Sequence, residues 1–284
     1  SNLRLGVNAG NSITSGGNYN TVVGDEAGTA ITTGDNNVAV GTNAADALTT
    51  GVRNVAIGYD ALTTAVDDDQ NTAVGAYALN TTEADDNTGV GYLALYANTT
   101  GASNVAVGAQ ALDANTTASN NTAVGYAALT ANTEASYITG VGYQALKLNT
   151  TGTANVALGA DALRQNLTGA ANVAVGNNAL VLNTASNNTA VGKDAGTAVT
   201  SGTQNTFVGA LAGDGTDDGS NNVAVGFEAL SANCGSQNTA LGTRSGKVTT
   251  GAENTFVGST AGTGNTSGVQ NTFVGSQAGD QNTD

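Results

Sequence analysis

Polar and apolar residues alternate along this chain in a five-residue phrase, most often Asn-x-x-Val-Gly, that recurs seventeen times from Asn2 to Gly275. Numbered from its glycine as zero, the phrase has Asn at −4 in sixteen repeats, with Ile138 the exception. It has Thr or Val at −3 in all but the first, usually Ala at −2, and Val, Ile or Leu at −1 throughout. The glycines lie 16, 17 or 18 residues apart, and sixteen steps cover 269 residues. A period this short cannot hold a helical hairpin or a propeller blade, but it suits one turn of a β-solenoid. The pattern predicts an all-β, parallel β-solenoid (β-roll) of about 17 coils, built as a single repeat domain over residues 1–284.

Side chains alternate across a strand, so −3 and −1 share one face while −2 takes the other. The larger aliphatic set, Val40, Ile57, Val74, Val90 and Val107, is expected to face inward. The opposite face then carries Ala39, Ala56, Ala73, Ala106, Ala123, Ala157 and Ala174, followed by Phe207, Phe256 and Phe273. A strand apolar on both faces is covered on both, so these ten residues are the expected oligomer face.

After the glycine, +3 is Ala except at Ser245, and +4 is Leu or Gly except at Ala45. Leu fills +4 from Leu62 to Leu180 and again at Leu230, while Gly takes it toward both ends, which predicts a fuller core in the middle coils. Stretches such as Asn98–Gly101 read as turns. Each repeat thus reads as two short strands and two turns, and stacking at about 4.8 Å gives a rod roughly 75 to 80 Å long. The recurring Asn20, Asn37, Asn54, Asn71, Asn87, Asn104, Asn121, Asn155, Asn172, Asn188, Asn205, Asn222, Asn238, Asn254 and Asn271 fit a structural ladder of side-chain amides bonded to their copies above and below. The glycine fits a turn needing positive φ.

Composition narrows the functions. Met, Trp, Pro and His are absent, and Gly supplies 40 residues. Seven basic against 22 acidic residues give a net charge of −15, which speaks against nucleic acid or an anionic membrane as partner. No apolar run approaches membrane-spanning length, so direct membrane insertion is not expected.

Without His, and with Cys234 as the lone cysteine, neither a Ser-His-Asp nor a Cys-His arrangement can be assembled. No catalytic residue, cofactor or metal site is expected. The acidic pairs in Asp67–Asp69, Asp85–Asp86 and Asp217–Asp218 read as solvated turns rather than glycosidase carboxylates. Asp214–Gly219 has the oxygen spacing of a calcium loop, but Val225 stands where the bidentate Glu belongs. Cys234 reads as a small turn residue, or as a bridge between chains if it lies on an oligomer axis. Sequons at Asn80, Asn98, Asn115, Asn149 and Asn166 follow from an Asn- and Thr-rich repeat.

Two files have functional readings. Thr33, Thr50, Thr100, Thr117, Thr151, Thr168, Thr184, Ser201 and Thr250 stand eight residues before the glycine and would offer a hydroxyl lattice of the kind used by ice-binding solenoids. Tyr59, Tyr92, Tyr126, Tyr143 and Phe227 follow the glycine and either cover the coil corner or stack on sugar rings.

The phrases Asn71-Thr-Ala-Val-Gly-Ala-Tyr-Ala-Leu79 and Asn121-Thr-Ala-Val-Gly-Tyr-Ala-Ala-Leu129 resemble the head repeats of YadA-like trimeric autotransporter adhesins, and related repeats of phage tail fibres. The resemblance covers essentially the whole chain. It implies a left-handed parallel β-roll, three of which pack around an axis. The adhesin repeat is shorter, so the period here implies a longer outer turn. No coiled-coil stalk, anchor barrel or chaperone domain is seen, and the chain starts at Ser1, so it reads as a fragment of a longer fibrous protein. The expected function is non-enzymatic: a head or shaft segment of a surface adhesin or viral tail fibre, extracellular on a cell surface or virion. Its expected partners are itself, as a homotrimer, and a host-cell surface glycan or protein. The alternatives are an ice-binding (antifreeze) solenoid using the Thr ladder, and a structural filament or spacer.

Overall fold

A computed structural model describes residues 1–282. The chain is a parallel β-solenoid with no helix among the described residues. It divides into two units, 1–138 and 139–284. The first holds β1 (Leu3–Leu5), β2 (Thr21–Val23), β3 (Val38–Val40), β4 (Val55–Ile57), β5 (Thr72–Val74), β6 (Thr88–Val90), β7 (Val105–Val107) and β8 (Thr122–Val124). The second holds β9 (Thr139–Val141), β10 (Val156–Leu158), β11 (Val173–Val175), β12 (Thr189–Val191), β13 (Thr206–Val208), β14 (Val223–Val225), β15 (Thr239–Leu241), β16 (Thr255–Val257) and β17 (Thr272–Val274). Within each unit consecutive strands pair in parallel, and equivalent positions of the phrase stand opposite each other, as Ala106 does to Ala123 and Phe256 to Phe273.

Each coil has one strand, not two. The segment after the glycine still bonds coil to coil, with Leu112 N–H donating to Ala128 O at 3.0 Å and Gln110 N–H to Tyr92 O at 2.9 Å. It is kept from extending by residues in the left-handed region at +2 and +4, such as Gln110 (φ 59°) and Leu112 (φ 51°). Left-handed backbone costs an L-residue about 1–2 kcal/mol, and full burial of a leucine returns about 1.5–3 kcal/mol. Leu112 is fully buried, so the strained turn is retained.

The strand faces are the reverse of the expected ones. Ala39, Ala56, Ala73, Ala106, Ala123, Ala157, Ala174, Phe207 and Phe256 are fully buried within their own coils, and Phe273, in the last coil, is half-buried. They form the core and cannot serve as an oligomer face. The aliphatic −1 side chains stand outside: Ile57 is 39% exposed, Leu158 48% and Leu241 39%. The reason is parity. Position −2 shares a face with the asparagine at −4, and that asparagine turns inward because its amide bonds the backbone of the neighbouring coil.

The asparagine file is a ladder, but from side chain to main chain. Asn121 N–H donates to Asn104 Oδ1 at 3.0 Å, while Asn104 Nδ2 donates to Ala118 O, in the next turn, at 2.9 Å. The pattern runs in the first unit from Asn2 to Ile138, whose N–H donates to Asn121 Oδ1, and in the second from Asn155 to Asn271. Amide-to-amide contacts are confined to a few rungs, such as Asn104 Nδ2 to Asn87 Oδ1 at 3.2 Å.

A second ladder lies at +7. Asn98, Asn115, Asn132, Asn149, Asn166 and Asn183 are fully buried. Here amide does meet amide: Asn115 Nδ2 donates to Asn98 Oδ1 at 2.7 Å, and Asn166 Nδ2 to Asn149 Oδ1 at 2.8 Å. The sequons at Asn98, Asn115, Asn149 and Asn166 are thus inside the coil. The signal was present in sequence as Asn recurring at one register in six successive repeats.

The glycine that closes the phrase serves twice. At Gly108 φ is +134°, and a Cβ there would stand 2.5 Å from the carbonyl oxygen of Gly125. Nor are the Gly-bearing coils hollow. Where +4 is small, a large residue elsewhere fills the space: Ile31 beside Gly28, Leu48 with Ala45, and the Phe207 and Phe256 rings beside Gly213 and Gly262.

Candidate functional site

Most polar side chains that recur are consumed by the scaffold. Besides the two asparagine ladders, Asp or Ser six residues before the glycine accepts a backbone N–H from the preceding coil. Asp69 takes that of Val52 at 2.7 Å, Asp85 that of Asp69 at 2.8 Å, and Ser136 that of Ser119 at 3.0 Å. In the Asp67–Asp69 and Asp85–Asp86 clusters, Asp69 and Asp85 thus hold turns together. Asp68 replaces the Gly or Ala of its turn and is only 8% exposed; burial raises its carboxyl to about 6, with Asp67 and Asp85 adding to the rise. Burial likewise lifts Asp46, Asp113 and Asp214.

Among the described residues, no three His, Cys, Asp or Glu side chains are placed to hold a metal ion. At the calcium-loop sequence, Asp217 accepts from the Thr200 hydroxyl, and Asp214 packs under Ser231. Cys234 is buried, with its Sγ 3.2 Å from Thr216 Oγ1, and burial pushes its thiol up. It cannot reach another chain, which removes the bridging alternative.

Every member of the Thr and Ser file from Thr33 to Thr250 is exposed. The file is not continuous: Asp67, Glu83, Glu134 and Asp218 occupy the same register. Those charges break the hydroxyl lattice on which ice binding would depend.

Five of the aromatic residues fall in two surface groups, one in each unit. In the second unit, Phe227 carries the guanidinium of Arg244 5.8 Å from its ring centre, and Glu228 accepts from Arg244 Nε at 2.8 Å and Lys247 Nζ at 2.7 Å. Lys247 and Arg244 hold the Glu228 carboxyl below its ordinary value. In the first unit, Tyr77 stands edge-to-face against Tyr59 at 5.4 Å, Tyr92 at 6.3 Å and Tyr96 at 6.4 Å. Tyr59 and Tyr92 come from +1, Tyr77 from +2 and Tyr96 from +5 of three successive coils, so stacking of repeats brings them together. The sequence pointed to Tyr59 and Tyr92; it missed Tyr77 and Tyr96, which do not share their register. Tyr77, Tyr92, Leu93 and Tyr96 line an open concavity of about 430 Å³.

No protein-family model matches this chain, and no curated protein matches it. The tyrosine concavity and the outer aliphatic file are therefore judged on their chemistry. The concavity is built of three tyrosine rings and one leucine. The file from Val38 and Val40 onward recurs in every coil, leaving a row of half-exposed Val, Ile, Leu and Thr methyl groups. A repeating β-solenoid with these surfaces is consistent with a structural or fibrous protein.

Proposed function

We propose that this chain is a non-enzymatic fibrous adhesion protein, a head or shaft segment of a surface adhesin or viral tail fibre, that works outside the cell as a homotrimer. The observation that carries the reading is the outer aliphatic file at −1 and −3. Exposed aliphatic side chains in a row mark an interaction site, and here they recur at −1 with each coil, flanked by Val or Thr at −3 in all but the first, so a second copy in register meets them coil by coil. The likeness of the repeat to YadA-like heads supports three copies around an axis, now through the −1 and −3 side chains rather than through the alanines. Contact with a host-cell surface glycan or protein is then multivalent, many weak sites adding through avidity.

Light scattering of the purified protein at micromolar concentration tests the assembly, and the expected mass is three times 27.6 kDa. Replacing Ile57, Val74 and Val90 by Lys is expected to give monomers with an unchanged circular dichroism spectrum. A monomeric parent protein would sink the reading. Self-assembly without affinity for cells or glycans would leave a structural spacer instead.

A further inference from the structure

We infer that the tyrosine concavity of the first unit is a binding site for a choline-type quaternary ammonium group. Three observations lead there. First, the rings of Tyr92 and Tyr96, which line the hollow with Tyr77 and Leu93, stand at 76° and 82° to Tyr77, so the lining is not one flat platform. A saccharide ring stacks on a platform; a compact cation is held by enclosing π-systems.

Second, the surroundings are negative without compensation. Residues 54–146 contain nine Asp and Glu and no Lys or Arg. The Asp60 carboxylate, followed by Tyr77, raises the phenol of Tyr59. The equivalent position of the second unit shows what such a place attracts. There Phe227 and Glu228, the counterparts of Tyr59 and Asp60, are matched by Arg244 and Lys247 from the next coil. In the first unit the next coil supplies Tyr77 and Leu79–Thr81 but no base, and Asp60 accepts from the neutral Asn43 amide at 2.9 Å, so its charge is free to act on an incoming cation.

Third, the lining favours a weakly hydrated cation over a primary amine. Tyr77, Tyr92, Leu93 and Tyr96 include no carboxylate, so a strongly hydrated lysine ammonium gains no ion pair there in return for the water it gives up against the rings. A quaternary ammonium has no N–H to satisfy. It needs only ring faces close by and a negative field beyond, and a concavity of about 430 Å³ admits the whole choline group.

The inference gives the ligand chemistry of the binding reading above and rests on it, but its test is separate: light scattering reads assembly, and titration reads the concavity. Choline and tetramethylammonium are titrated into the full chain while tyrosine ring resonances are followed by NMR, with 3,3-dimethylbutan-1-ol as the neutral isostere. Choline is expected to shift resonances of Tyr77, Tyr92 and Tyr96 saturably, and the isostere to bind at least roughly fivefold more weakly. Added salt should weaken choline binding, because the field that helps it is exposed. Tyr77→Leu should abolish saturation while Tyr77→Phe keeps it, and Asp60→Asn should weaken binding without touching the lining; Tyr137→Leu, outside the cluster, should change nothing. Equal binding of choline and the isostere would overturn the inference. So would saturable binding of methyl glycosides or of a lysine peptide at these rings with none of choline.

Discussion

A Cβ on Gly213 would lie 2.5 Å from the ring of Phe207, so the glycine at +4 and the phenylalanine at −2 of one coil share a single volume. Gly262 and Phe256 repeat the relationship at 2.2 Å. Seven coils solve the same packing problem the other way, with Ala at −2 and Leu at +4, as Ala106 and Leu112 do. Phe207→Ala alone should leave a void and cost about 3–5 kcal/mol. Gly213→Leu alone should overpack by about 1–3 kcal/mol, in addition to its left-handed backbone cost. The double variant restores the commoner pair and is expected to recover most of the loss, as read from urea midpoints. Additive losses would show that the two residues do not share space.

The inversion of the strand faces gives a direct comparison of neighbours. Ala106→Val puts bulk into a filled core and should destabilise by about 1–3 kcal/mol. Val107→Ala, one residue away on the outer face, should cost under about 1 kcal/mol in the isolated chain while weakening self-association. Thermal melts together with light scattering separate the two effects; a reversed order would restore the expectation of inward valines.

Asn104→Ala removes the acceptor for the Asn121 N–H and the donor to Ala118 O. The buried Asn121 N–H is then unpaired, at about 1–3 kcal/mol, while Ala118 O keeps its second donor, Asn115 Nδ2 at 3.0 Å. Hydrogen exchange at the Asn121 amide should accelerate in step with the loss of stability. Unchanged protection there would mean that the ladder contributes shape but not stability.

Asp68 makes stability depend on pH in an unusual direction. Its folded value of about 6 lies above the ordinary carboxylate range, so between roughly pH 4 and 6 the folded state holds a proton that the unfolded state has released. Stability contributed by this group is gained as pH falls through the window and lost as pH rises toward 7. Asp68→Ala, matching Ala84 and Ala118 in the same register, is expected to raise the neutral-pH melting temperature and flatten its slope between pH 4 and 6. Asp46, Asp113 and Asp214 are shifted in the same sense, so some slope should persist.

Cys234 is buried beside Thr216 with its thiol raised. Thiol reagents should leave the native protein unmodified at neutral pH and label it fully in denaturant. Labelling at the rate of a free thiol in native buffer would contradict the packing, and so would a disulfide-linked dimer on a non-reducing gel.

The repeat itself was legible without coordinates. A fixed spacing of Asn, aliphatic and Gly can be satisfied only by stacking like on like, because each position needs its own copy one coil away. Gly108 follows from backbone geometry, and Asn104 from the cost of unpaired buried amides; neither depends on knowing which way the coil turns. Facing does depend on it. Sequence ranks Val107 as more apolar than Ala106 and so places it inside, but the tertiary structure decides otherwise, because parity ties Ala106 to the inward amide of Asn104 and a narrow coil has room there for a methyl group opposite Leu, or for a larger side chain such as Val22 or Phe207 opposite Gly. The tyrosine concavity was hidden for a related reason. Tyr59, Tyr77, Tyr92 and Tyr96 occupy different registers of different repeats, and only the closure of each turn onto the next sets their rings side by side.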